Sequence, residues 1–208
     1  MQEPSDHPPV SNGSRRPSKD TLNLIIAVSA VLISAASFVA AYMQSDAAYR
    51  QVEAETWPFL QLDNGNIDGR ERMIYLRLEN VGVGPAKIER FTLFLDGKPV
   101  KSLPHLMRQC CAPDEQGSED ALDKRRIDST TDSPSPRILP SGGSVDLFMV
   151  PFEGNDQLLW QKLNKARHRL KAYGCYCSLL GDCYETDFET EPVEVAACYR
   201  NRETDYVG

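Results

Sequence analysis

No cysteine precedes residue 110, and no charged side chain lies between Asp20 and Asp46. A surplus of basic residues is missing too. The formal net charge is −7, which excludes the basic face or stripe that binds nucleic acid. Two local basic clusters, Lys124-Arg125-Arg126 and the segment 162–171, are interrupted or flanked by acids or apolar residues and read as solvated faces. Histidine is scarce: beyond the uncharged stretch only His105 and His168 occur, neither at ligand spacing from another candidate. No internal repeat is evident.

Several catalytic signatures are absent as well. The loop Asn80-Val81-Gly82-Val83-Gly84-Pro85 begins like a dinucleotide fingerprint, but Lys87 stands where the third glycine belongs. The adjoining segment, Glu89 to Gly97, is rich in β-branched and aromatic residues, and the Gly-Lys-Ser/Thr of a phosphate loop is missing. The loop therefore reads as a connection between strands, its glycines permitting positive φ. No Gly-x-Ser-x-Gly elbow occurs, so Ser141 and Ser144 are assigned to a turn. No calcium-loop pattern accompanies the acidic residues Glu185, Asp187, Glu189, Glu191 and Glu194. The alternate positions 185, 187 and 189 are expected on the solvent face of one strand. No residue is singled out as catalytic or cofactor-binding, and the chain is expected not to be an enzyme.

What is present begins with the apolar run Leu22 to Met43, whose 22 residues make a helix of roughly 33 Å, enough to cross a bilayer. A signal peptide has a shorter apolar core, although Val39-Ala40-Ala41 resembles a cleavage site. A core helix would carry a polar stripe, and this run has only scattered serines. A transmembrane helix over residues 21–44 is the reading adopted. Arg15, Arg16 and Lys19 flank it on one side and only Arg50 lies within sixteen residues on the other. The positive-inside rule therefore puts a disordered tail, 1–20, in the cytoplasm and the remainder outside. The small pairs Ala36/Ala40 and Ser37/Ala41 leave a homo-oligomer open.

All six cysteines, Cys110, Cys111, Cys175, Cys177, Cys183 and Cys198, fall on the predicted outer side. An even number there indicates disulfides in an oxidising compartment. A hairpin centred on Leu180 sets Cys177 opposite Cys183, which suits a short bridge. Cys110 and Cys111 are expected to bond to separate partners, with Cys175 and Cys198 as candidates; six cysteines allow fifteen pairings in all. The alternative is thiol-redox or metal chemistry at Cys175, Cys177 and Cys183.

Residues 45–56 should prolong the helix until Trp57-Pro58 stops it. From 57 to 208 a mainly β domain is expected, sandwich-like or Greek-key-like, with one or two short helices. Its strands are read at 59–62 (then a turn over Asn64 to Gly69), 73–78, 87–95, 144–152, 170–178, 183–189 and 192–199. Helices are read at 103–112 and from a cap at Asn155 or Asp156 to Arg167, and an exposed loop at 113–137.

Three segments carry a resemblance: Trp57-Pro58-Phe59-Leu60-Gln61-Leu62, the Asn80 to Ala86 turn, and Tyr176 to Tyr184. They are similar to segments of uncharacterised bacterial proteins in which one N-terminal membrane helix carries a small extracytoplasmic β domain. The resemblance covers mainly residues 22–100 and 173–188 and implies an architecture, not an activity. The span, the outer cysteines, the β pattern and the missing catalytic motifs lead to an expected periplasmic, envelope location, a bilayer partner through residues 22–43, and a protein partner for the domain.

Overall fold

A computed structural model describes residues 18–111, 127–201 and 203–208. The expected disordered tail lies, for residues 1–17, outside the described residues, and so does most of the expected loop, at 112–126. The chain divides into two compact units, residues up to Arg50 and residues from Gln51 on.

The first unit belongs to α1 (Lys19–Glu55), a continuous helix of 37 residues with no buried side chain. It is long and apolar enough to cross a membrane. Ser34 returns its hydroxyl to the Ala30 carbonyl at 2.8 Å, so this polar group within the apolar run is satisfied along the helix. As expected, the helix runs through the polar residues 45–55 before Trp57-Pro58 ends it.

The second unit is built on antiparallel sheets. One has the order β1 (Leu60–Asp68), β2 (Glu71–Asn80), β7 (Ser144–Pro151), β5 (Thr130–Thr131). The other runs β10 (Val193–Val195), β9 (Cys183–Thr186), β8 (Leu170–Cys177), β3 (Ala86–Leu95), β4 (Lys98–Val100), with β6 (Arg137–Leu139) also on β3. Alternation in β2 buries Ile74, Leu76 and Leu78, as read from the sequence. They meet Ile88, Phe91, Leu93 and Tyr176 of the second sheet in one core. Two amphipathic helices, α2 (Leu103–Cys111) and α3 (Gln157–Ala166), add Leu103, Leu106, Trp160 and Leu163 to it. Asp156 caps α3 through the Leu159 amide at 2.9 Å.

"Mainly β" holds for the second unit only, because α1 brings the chain to 34% helix against 35% strand. Other boundaries also move. Of the expected turn 64–69 only Gly69 turns, at positive φ; β1 continues to Asp68 with a bulge between Gly65 and Ile67. At Gly65 the end of the Tyr75 ring lies over the backbone, 2.4 Å from where a Cβ would stand. Within the expected loop 113–137, Ile127 packs on the core, and the exposed, β-branched pair Thr130–Thr131 adds a short edge strand to β7. The last strand shrinks to Val193–Val195, and the chain beyond it runs without regular structure.

That final segment closes an open edge. The side of β3 away from β8 holds β6 at Ala86–Ile88 and β4 at Leu93–Leu95. Arg200, Asp205 and Tyr206 fill the gap between them. Arg200 Nε donates to the Glu89 carbonyl, Asp205 bridges to Thr92, and the Tyr206 amide donates to the Phe91 carbonyl at 2.9 Å. Tyr206, 1% exposed, then plugs the core and donates its hydroxyl to the Leu147 carbonyl of the opposite sheet at 3.1 Å.

Candidate functional site

Two places in the second unit carry unusual chemistry. The first is the end where residues 56–59 arrive. Asn80, fully buried, holds it together. Its Nδ2 donates to the carbonyls of Gly84, Leu139 and Pro140, and its Oδ1 accepts from the amides of Gly82 and Phe59. Gly82 and Gly84 are not positions of positive φ, contrary to the expectation. They are glycines because chain 56–59 presses on them: a Cβ on Gly84 would lie 1.9 Å from the Thr56 carbonyl oxygen, and one on Gly82 2.2 Å from the Phe59 nitrogen. The loop is a turn between β2 and β3, as read. Around it the apolar side chains of Trp57, Val81 and Val83 stay exposed. The turn after β8 adds exposed Leu179 and Leu180 at the same end, because Cys177 stands in register with Lys87 at the start of β3.

The second place is the outer face of the β10–β9–β8–β3 sheet. Along β8, Ala172 and Tyr176 belong to the core, so Cys175 and Cys177 project to the other side, with Tyr173 and Lys171. Cys177 bonds to Cys183, its direct partner across β8 and β9, as the hairpin spacing predicts. Cys175 bonds to Cys198. Cys110 and Cys111 bond to each other. The expectation of separate partners for Cys110 and Cys111 is thus corrected. They sit at the end of α2, where Cys111 is packed into the core, whereas Cys175 and Cys198 meet outside the core on the far face of a sheet. Among the described residues no cysteine is free.

Register across the sheet sets these sulfurs among charges. One row reads Arg90, Cys175, Glu185, and the next reads Lys87, Cys177, Cys183. The Arg90 guanidinium spans its row, donating to Glu185 at 2.6 Å and to the Tyr199 carbonyl at 3.0 Å. Lys87 pairs with Glu89 at 2.6 Å. The two disulfides touch: the sulfurs of Cys177 and Cys198 are 3.8 Å apart. The sulfurs of Cys177, Cys183 and Cys198 all lie within 4.8 Å of one another. Spacing alone suggests a cluster of Cys175, Cys177 and Cys183; in the folded chain Cys198 takes the place of Cys175. Nothing local announces Cys198, or the cations Lys87 and Arg90, because strand pairing alone brings them there.

The acidic run is not one strand face. β9 ends at Thr186, and Asp187 turns the chain, accepting from the amides of Glu189 and Thr190. Those amides, Thr190 first, hold its carboxyl below the usual carboxylate range. Lys171 and Glu189 form an ion pair on the surface. No protein family, curated protein or solved structure matches the chain.

Proposed function

We propose that this chain is a single-pass envelope protein whose disulfide-stabilised, sandwich-like β domain binds a partner protein and catalyses no reaction. In this reading the residues before α1 lie in the cytoplasm and the domain lies outside, in the periplasm. Support comes from the apolar span, its basic flank, and cysteines that are all downstream and all oxidised among the described residues.

The observation that carries the binding role is the apolar rim of Trp57, Val81, Val83, Leu179 and Leu180, the first three beside the Asn80 network and the last two on a turn held by the Ser178 hydroxyl. Side chains already held in place lose little freedom when a partner covers them, so their burial is returned as affinity. Photo-crosslinkers at Val83 and Leu180, in membranes, test this against one at Ile67, a comparably exposed residue by the β1–β2 turn. The expected result is a protein adduct at the first two sites and none at Ile67. Absence of adducts at the rim, or equal adducts at all three, overturns the reading.

A second reading, thiol-redox or metal chemistry on the outer sheet, is favoured by one observation: two disulfides lie in sulfur contact.

A further inference from the structure

Resting on that second reading, we propose that the two touching disulfides form an exchange pair, in which opening Cys177–Cys183 hands the C-terminal strap from Cys175 to Cys177.

Thiol–disulfide exchange needs a thiolate close to a disulfide sulfur and a leaving thiol that tolerates negative charge. The Cys177 and Cys198 sulfurs, 3.8 Å apart, are in van der Waals contact, so approach requires little movement. Each β8 cysteine has a cation in register on β3: Lys87 opposite Cys177 and Arg90 opposite Cys175. A neighbouring cation favours the thiolate form. One cation therefore serves the attacking sulfur and the other the departing one. Both are also paired with acids, Glu89 and Glu185; Arg90 also donates to the Tyr199 carbonyl, Arg200 of the strap stands by Glu89, and Asp205 lies within reach of Arg90 and Arg200.

In the first step an external dithiol attacks Cys183, beside the exposed Leu179-Leu180 turn; it leaves as a disulfide, and Cys177 and Cys183 become thiols. The Cys177 thiolate then attacks the Cys198 sulfur. A Cys177–Cys198 bond forms, the Cys175–Cys198 bond breaks, and Cys175 departs with the electron pair and takes a proton from water. Cys175 is fully buried, so solvent reagents reach it last. The second step exchanges one disulfide for another and closes a loop of 21 residues in place of 23. Chain entropy is thus nearly indifferent, and the local charges decide the outcome.

The strap is what moves. Tyr199, Arg200, Asp205 and Tyr206 are pinned to β3 by Arg90, Glu89, Thr92 and Phe91 in turn, and Cys175–Cys198 is their covalent anchor. The attachment point moves by two residues, roughly 7 Å along β8, while the Cys198 sulfur itself has only the 3.8 Å contact to close. The geometry thereby links the redox state of the outer sheet to the edge of β3.

Cys183→Ser in the full membrane-embedded chain tests the exchange without any reductant, since it leaves Cys177 a thiol. After acid quenching and alkylation, mass spectrometry of the unreduced digest should show both Cys177–Cys198 and Cys175–Cys198 peptides. Their ratio should lie within about tenfold of unity, a difference of about 1.4 kcal/mol. Only Cys175–Cys198, with Cys177 alkylated, overturns the proposal. Wild-type protein in limiting dithiothreitol is the second measurement and guards against a variant that fails to fold. Alkylation of Cys175 and Cys183 with a Cys177–Cys198 peptide supports the relay; alkylation of Cys177 and Cys183 alone overturns it. If no bond opens in folded wild type, the redox reading falls, while the Cys183→Ser result still judges the exchange itself.

Discussion

Replacing Asn80 by alanine should be among the most damaging single substitutions in the second unit. The side chain makes five hydrogen bonds, at 2.8 to 3.2 Å, to three loops. Alanine leaves three carbonyls and two amides without that partner, and water has poor access because the residue is fully buried. Each orphaned buried group costs about 1–3 kcal/mol, but groups in one network relax together and do not add. A loss of about 4 kcal/mol is therefore expected, a large share of the 5–15 kcal/mol typical of a whole domain. For a unit of this size that lowers the melting temperature by about 8–16 °C. Calorimetry of the detergent-solubilised chain reads it directly. Asn80→Asp sharpens the test: its oxygens can still accept from Gly82 and Phe59, but one now faces the three carbonyls. Its loss should equal or exceed that of alanine. A melting shift under about 3 °C for Asn80→Ala would refute the argument that this amide holds the loops together.

The same structure sets three further outcomes. Gly84→Ala, whose Cβ would collide with the Thr56 backbone, should be far more destabilising in thermal melts than Gly97→Ala; Gly97 sits in open space at φ +79°, where the cost is about 1–2 kcal/mol. Tyr206→Ala should cost about 3–5 kcal/mol in denaturant titrations by emptying a core site, whereas Tyr206→Phe should cost only about 1 kcal/mol, since it removes one hydrogen bond from a Leu147 carbonyl that keeps the Asp132 amide; equal losses would mean that the strap's plug role is wrong. Stability should also fall at alkaline pH. Burial pushes the Tyr176 phenol up to about 12, opposed by the Leu60 backbone, and burial raises Tyr206 as well. An unfolded phenol titrates near 10, so the stabilisation is intact below about pH 10 and is lost as pH climbs to about 12, with about 2–3 kcal/mol coming from Tyr176. Denaturant midpoints at about pH 9 and pH 11.5 should differ, and Tyr176→Phe should shrink the difference.

The sequence by itself determined whatever depends on near neighbours. A run of 22 residues without charge marks a helix long and apolar enough to cross a membrane. Period-two alternation assigns Ile74, Leu76 and Leu78 to one face without knowledge of the partner strand. Local pattern narrows the α3 cap to Asn155 or Asp156, of which Asp156 bonds the amide three residues on, and Cys177 finds Cys183 across a hairpin of six. Each of these is a short-range event whose geometry is set by backbone periodicity.

Tertiary structure alone decided the rest, because pairing between distant strands is chosen by the whole core and not by local pattern. Alternation could say that Cys175 and Cys177 share a face, but not that the chain end would cross that face and bring Cys198 to both. Nor could it say that the β3 register, shifted by a bulge between Ile88 and Arg90, would set Lys87 and Arg90 opposite the two sulfurs. The glycines of the 80–85 loop read as turn formers; only the backbone of residues 56–59, passing close above Gly82 and Gly84, shows that they are there to make room. The sites on which the functional readings rest lie where segments far apart in the chain meet, and the energy that brings them together is core burial, which leaves no local mark on the residues it positions.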